Sequence, residues 1–163
     1  MASTDIFRNF APVDGVDSRC YSVYTGGWVD FFDQNSSGVI LSHAKTYYVC
    51  GPMRGIYAFN FPAFDAATAR LRAAGHRVFN PAERDRAGGF DPVSLGLKGT
   101  DKELKERGFD VREAAAYDLE FICREATHLY LLRGWQNSVG AAAEIAVAKW
   151  LGLTFEEEKN ALW

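Results

Sequence analysis

The pattern of hydrophobic and polar positions changes character along the chain. Through the first 45 or so residues, aromatic and β-branched side chains are interrupted by turn residues and show no helical period. Tyr21-Ser-Val-Tyr-Thr25 and Trp28-Val-Asp-Phe-Phe32 flank Gly26-Gly27, whose tolerance of positive φ suits a two-residue β-hairpin turn. A polar Gln34-Asn-Ser-Ser-Gly38 segment and a short apolar run, Val39-Ile-Leu41, follow. Thr46-Tyr-Tyr-Val-Cys50 then reads as the first core strand, stopped by Gly51-Pro52. From Phe61 the apolar positions Ala63, Phe64, Ala67 and Leu71, with Pro62 near the start and Gly75 past the end, predict a helix. Arg77-Val-Phe-Asn80 predicts a short strand. Residues 83–110, rich in glycine and charge, predict a long irregular connection, either a functional lid or a disordered segment. A helix over 111–124, a strand over 127–132, a helix from about Ser138 to Leu151 and a short strand over 153–155 complete the pattern.

Strands alternating with helices predict a parallel sheet covered on both faces. The expected fold is therefore α/β, flavodoxin-like or Rossmann-like, with an N-terminal β-hairpin extension. The expected division is residues 1–45 for the extension and 46–163 for the α/β domain. Sheets of this kind place ligands at the carboxyl ends of their strands.

Composition narrows the function classes. A 163-residue chain that is 48% hydrophobic has enough apolar material for one substantial core. Its 18 Lys+Arg against 21 Asp+Glu give a net charge of −3, which argues against binding a nucleic-acid polymer and favours a small-molecule substrate. No apolar run approaches the roughly 20 residues that span a bilayer, so no membrane association and a cytoplasmic location are expected. Cys20, Cys50 and Cys123 are too few and scattered for a disulfide framework or a zinc set, and neither a metal nor a cofactor is expected. Cys50 and Cys123 read as buried thiols, and His43, His76 and His128 as isolated residues without ligand spacing.

Three constellations could carry chemistry. In Tyr48-Val-Cys-Gly-Pro-Met-Arg-Gly55 a strand runs into two glycines with a guanidinium between them, which offers backbone N–H groups and one charge to an anion. The alternative is an ordinary tight turn with a surface arginine. On helix 111–124 the apolar positions Val111, Ala114, Ala115, Leu119 and Ile122 mark a buried stripe, and Asp118 falls within it. A carboxylate there must be paired, hydrogen-bonded or shifted in pKa, unless the helix is rotated and Asp118 faces solvent. In Ser138-Val-Gly-Ala-Ala-Ala-Glu144 the serine is a natural N-cap, and Glu144 lies one turn beyond Gly140 beside small residues that leave room for a ligand. Otherwise those alanines serve close packing and Glu144 is an exposed helix residue.

Taken in order, Tyr48-Val-Cys-Gly-Pro-Met-Arg-Gly55, Tyr117-Asp-Leu-Glu-Phe121 and Ser138-Val-Gly-Ala-Ala-Ala-Glu144 resemble the nucleoside 2-deoxyribosyltransferase superfamily. The match is nearest to its 2′-deoxynucleoside 5′-phosphate N-hydrolase branch and to bacterial and phage relatives. The resemblance covers about residues 46–155. It implies that Glu144 is the catalytic nucleophile, that Asp118 contacts the sugar and assists protonation of the base, and that Tyr48 lines the active site. It also implies that Gly51, Arg54, Ser138 and Gly140 hold a 5′-phosphate, with Met53 on the same substrate-binding loop. Pro52 stands where that branch carries a phosphate-binding serine. The implied function is hydrolysis of the N-glycosidic bond of a (deoxy)nucleoside 5′-monophosphate. The alternatives are base exchange by a deoxyribosyltransferase, or a nucleotide-binding protein without turnover. A homo-oligomer is expected, since the family completes its sites between subunits.

Overall fold

The computed structural model describes residues 44–159, together with the backbone of 19–22 and 27–30. The chain divides into two units, Met1–Ile40 and Leu41–Trp163. In the first, β1 (Arg19–Ser22) and β2 (Gly27–Asp30) pair antiparallel, with Ser22 opposite Gly27. The hairpin is present, but its strands pair in a different register from the one the two glycines suggested: Gly27 belongs to β2, and four residues separate the strands. The run Val39-Ile-Leu41 lies outside the described residues.

The second unit is built on β3 (Thr46–Cys50), β4 (Arg77–Phe79), β5 (His128–Leu131) and β6 (Thr154–Glu157), all parallel, in the spatial order β4-β3-β5-β6. This is a flavodoxin-like order with four strands. Strand β3 occupies an inner position and is buried on both faces, so its sequence is a near-continuous apolar run and not an alternating one. Its side chains still divide by parity. Tyr47 and Val49 join a core with Phe61, Phe64, Ala67 and Leu71 of α1 (Phe61–Ala73). Tyr48 and Cys50 join the opposite core, with Phe121 and Ile122 of α4 (Val111–Arg124) and Ala141, Ile145 and Ala148 of α5 (Val139–Trp150). Because β4 lies on one side of β3 and β5 on the other, the connections leaving β3 and β5 diverge and open a crevice at the carboxyl ends of these two strands.

The connection expected to be irregular over 83–110 is so over 88–100 and 107–110, but it also contains two short helices, α2 (Pro81–Ala87) and α3 (Asp101–Glu106). Asn80 caps α2 by accepting from the Ala82 N–H at 2.9 Å, and Pro81 fills the first helical position, where a missing N–H costs nothing. Thr100 and Glu103 form a capping box at the start of α3. Short helices with few periodic apolar residues give a weak pattern, but their caps are legible. The link between them is also fixed: the Gly55 N–H donates to the Gly99 carbonyl and the Ala58 N–H to the Leu97 carbonyl, each at 2.8 Å.

Those bonds hold an uncommon backbone segment. Ala58, Phe59 and Asn60, just before α1, have φ of 50°, 50° and 61°. Left-handed conformation in residues with a Cβ costs on the order of 1–2 kcal/mol each. Burial of Ala58 and Phe59, and a bond of 2.8 Å from Asn60 Nδ2 to the Pro52 carbonyl, offset that cost. Gly99 is the matching constraint from the other side, because at φ +85° a Cβ there would lie 2.0 Å from the Ile56 carbonyl oxygen. Gly99→Ala is therefore expected to lose about 2–4 kcal/mol in urea denaturation, through strain and overlap together. Gly140→Ala, whose Cβ would meet only Ser138 Oγ at an ordinary 3.9 Å, should leave stability unchanged or slightly higher. Equal stability of Gly99→Ala and the wild type would contradict this packing.

Candidate active site

A cavity of about 500 Å³ lies at the carboxyl ends of β3 and β5. It is lined by every residue that the sequence singled out: Tyr48, Gly51, Met53, Arg54, Asp118, Ser138, Gly140 and Glu144. The loop after β3 and the segment after β5 meet because Gly51 lacks a side chain. A Cβ at Gly51 would sit 2.7 Å from Leu132 Cβ, while the Leu132 N–H donates to the Cys50 carbonyl at 2.8 Å. Ser138 caps α5 by accepting from the Ala141 N–H at 3.2 Å. The N–H groups of Val139 and Gly140, in the first turn, have no intrahelical acceptor, and they form the positive end of the helix dipole at the cavity rim. Arg54 is half-exposed and lies 3.4 Å from Asp101, so its charge is already partly engaged.

The apolar stripe of α4 is buried only toward its C-terminal end, at Phe121 and Ile122. Val111, Ala114, Ala115 and Leu119 line the cavity together with Asp118. Leu119 also packs against the core beneath the sheet, but Val111, Ala114 and Ala115 furnish the wall of an open space, and the carboxylate among them lines that space. Glu144 reaches the same cavity from α5, one turn beyond Gly140. Tyr48, fully buried, has its ring stacked 5.7 Å from Phe79. Its hydroxyl interacts with both carboxylates.

These surroundings separate the two acids. Burial raises the Glu144 carboxyl above the usual range, and hydrogen bonding from Cys50 and Tyr48 pulls it back. Burial lifts Asp118 from 3.8 to about 8, with the charges of Glu144 and Asp85 adding to the rise. At neutral pH Asp118 therefore favours its proton, while the hydrogen bonds from Cys50 and Tyr48 draw Glu144 toward its charged form. Desolvation, with the same two carboxylates nearby, holds the Tyr48 hydroxyl well above its ordinary value, so it remains a donor. Burial likewise raises Cys50, an inert thiol. Cys123, expected to be buried, is exposed on α4.

Sequence reasoning missed Asp85. It lies on α2 within the segment expected to be irregular, is only 6% exposed, and lines the cavity. Burial raises its carboxyl from 3.8 to about 6, against the pull of Arg84 at 3.2 Å. The start signal Asn80-Pro81-Ala82-Glu83 could have revealed the helix, and with it a carboxylate one turn after Pro81. The aromatic wall near Asp85, made by Phe59, Phe61, Phe64, Phe90 and Phe109, was equally hidden, because its members come from separate segments. Among the described residues no cluster of His, Cys, Asp and Glu has the form of a metal site, and no helix is long and apolar enough to cross a membrane.

Residues 45–156 match the family described as Domain of unknown function (DUF4406), and the chain belongs to that family. No curated protein and no solved structure matches it.

The raised Asp118 pKa links the site to stability. Between 3.8 and about 8 the folded protein holds a proton on Asp118 that the unfolded chain has released, so this group weakens the fold as pH rises through that window. Asp118→Asn keeps the shape and removes the titration. Its melting temperature should rise relative to wild type by several degrees at pH 8 and by little at pH 4. A constant difference across that range would show that Asp118 titrates normally.

Proposed function

We propose that this DUF4406 member hydrolyses the N-glycosidic bond of a (deoxy)nucleoside 5′-monophosphate, releasing the free base and the sugar phosphate. The observation that carries this reading is the pair of buried carboxylates, Glu144 and Asp118, in one largely apolar cavity at the strand ends, with Asp118 raised to about 8 beside the charge of Glu144. The ordered resemblance to nucleotide N-hydrolases supports it independently.

Cleavage develops positive charge at C1′, and an ionised Glu144 stabilises that charge and attacks the carbon. The C1′–N bond breaks and its electron pair leaves with the base. A proton from Asp118, delivered directly or through water, neutralises the departing nitrogen. The resulting glycosyl ester removes the buried charge of Glu144. Asp118, now ionised, takes a proton from water as the water oxygen attacks C1′, which restores both carboxyl groups. Tyr48 holds the two acids through its hydroxyl. The free N–H groups of Val139 and Gly140 and the guanidinium of Arg54 receive the 5′-phosphate. No bound cofactor is required by these steps, and the protein works in the cytoplasm as a homo-oligomer. Val139, 88% exposed, and Val111, both on the lining of the cavity, form the apolar surface that a second copy covers.

One observation favours the transferase as a second reading. Pro52 offers no hydroxyl to a phosphate, and Arg54 is already near Asp101. Under that reading an added acceptor base, in place of water, resolves the ester.

Chromatography of free base after incubation with deoxy- and ribonucleotides and nucleosides tests both readings. Wild-type protein should release base, Glu144→Ala should not, and Asp118→Asn should be slower by about 100-fold or more. The rate should fall as pH rises through about 8, where Asp118 loses its proton. Base release that requires an acceptor identifies the transferase, and no release under any condition overturns both.

A further inference from the structure

The proposed reaction leaves one buried charged group without work. Asp85 lines the cavity, is 6% exposed, and finds its side-chain partner in the adjacent Arg84, at 3.2 Å. A carboxylate in such a place costs free energy unless a ligand or partner supplies donors. Its immediate surroundings are aromatic. The Phe90 N–H donates to the Asp85 carbonyl at 3.0 Å, and the Phe90 ring sits against those of Phe59, Phe61 and Phe109 at 5.5, 6.2 and 4.6 Å between centroids. Flat apolar walls with one acceptor group suit a planar heterocycle whose edge carries donors.

Asp85, Phe90 and Phe109 are also shared with a second concavity, of about 660 Å³, that contains Arg84. The Arg84 guanidinium, 4.1 Å over the Tyr117 ring, lines that second concavity and not the first, and it braces the Asp85 carboxylate from behind. A carboxylate that can accept two hydrogen bonds side by side complements one common base edge in particular: the guanine edge, with its adjacent N1–H and 2-amino group. Adenine and cytosine each offer that edge only one donor group, beside a ring nitrogen that repels a carboxylate. Thymine and uracil offer a single N–H between two carbonyls.

We propose that Asp85 is the base-recognition residue of this cavity and that it selects guanine nucleotides by accepting from N1–H and the 2-amino group. The assignment rests on the glycosidase reading for the position of the sugar, though not for the recognition itself. Asp85 remains ionised at neutral pH, whereas Asp118 does not, which gives the two buried aspartates different tasks.

The test compares dGMP, dIMP, dAMP and the pyrimidine monophosphates. On the wild type, kcat/KM for dGMP should exceed that for dIMP, which lacks only the 2-amino group, by about 10-fold, and that for dAMP by about 100-fold or more. These comparisons need no variant. Asp85→Asn removes a charge that helps raise Asp118, so both values can change, but that for dGMP should fall about 100-fold more than that for dAMP, and the ratio of the two collapses. A misfolded variant would lower both equally and keep the ratio. Calorimetric binding of dGMP and dAMP to Glu144→Ala separates the two proposals. If the wild type cleaves nothing but Glu144→Ala prefers dGMP, and the added Asp85→Asn change abolishes that preference, hydrolysis fails and base recognition stands. Cleavage of dAMP or a pyrimidine nucleotide as fast as dGMP overturns the Asp85 assignment and leaves hydrolysis intact. Neither cleavage nor preferential binding of dGMP overturns both.

Discussion

Two carboxyl groups that share a poorly hydrated space cannot both be charged at low cost, and the site of this protein is organised around that constraint. Glu144 approaches from α5 and Asp118 from α4, and both meet the Tyr48 hydroxyl at the end of β3. Burial raises both, but Glu144 accepts from Cys50 and Tyr48 and its charge adds to the rise at Asp118, so the proton is favoured on Asp118. Two groups of the same chemical type can be set apart in this way by their surroundings. The cost falls on stability, through a fold that would be firmer without those groups, as is common where a site needs a strained or destabilised arrangement.

The rest of the architecture serves to hold that space open. The divergence of chain connections around β3 and β5 provides the crevice. Gly51 lets the two strand exits meet at Leu132. Small residues on α5 and the apolar stripe of α4 wall the cavity without filling it. The left-handed turn at 58–60, pinned by the segment around Gly99, sets Phe59 into the same wall at a cost in backbone energy. Backbone strain maintained by surrounding bonds is often found beside functional sites, and here it adjoins the cavity directly.

Much of this was legible in the sequence because periodicity reports burial. The strand at 46–50, the helix at 111–124 and the position of Asp118 within the helix stripe all followed from apolar spacing, and the resemblance fixed on Glu144 before its environment was known. What spacing left open was whether the stripe of α4 met a sheet or a cavity. Val111, Ala114 and Ala115 would read alike in either case. The region 83–110 resisted because α2 and α3 are short and are stabilised by caps and by bonds to the 55–58 segment, not by a long apolar face. Asp85 was lost with it. The hairpin register escaped because Gly26 and Gly27 fit a tight turn locally, whereas the observed pairing takes Gly27 into β2.

In the proposed reaction Glu144 becomes covalently joined to C1′ of a sugar. Mass spectrometry after incubation with 2′-fluoro-arabinosyl nucleoside monophosphates tests it most directly, since fluorine at C2′ disfavours the charge development needed to release a glycosyl ester. A sugar-phosphate adduct is expected on the peptide containing Glu144, and none on the Glu144→Ala protein. Turnover of the normal nucleotide without any adduct, or an adduct on another residue, would contradict it.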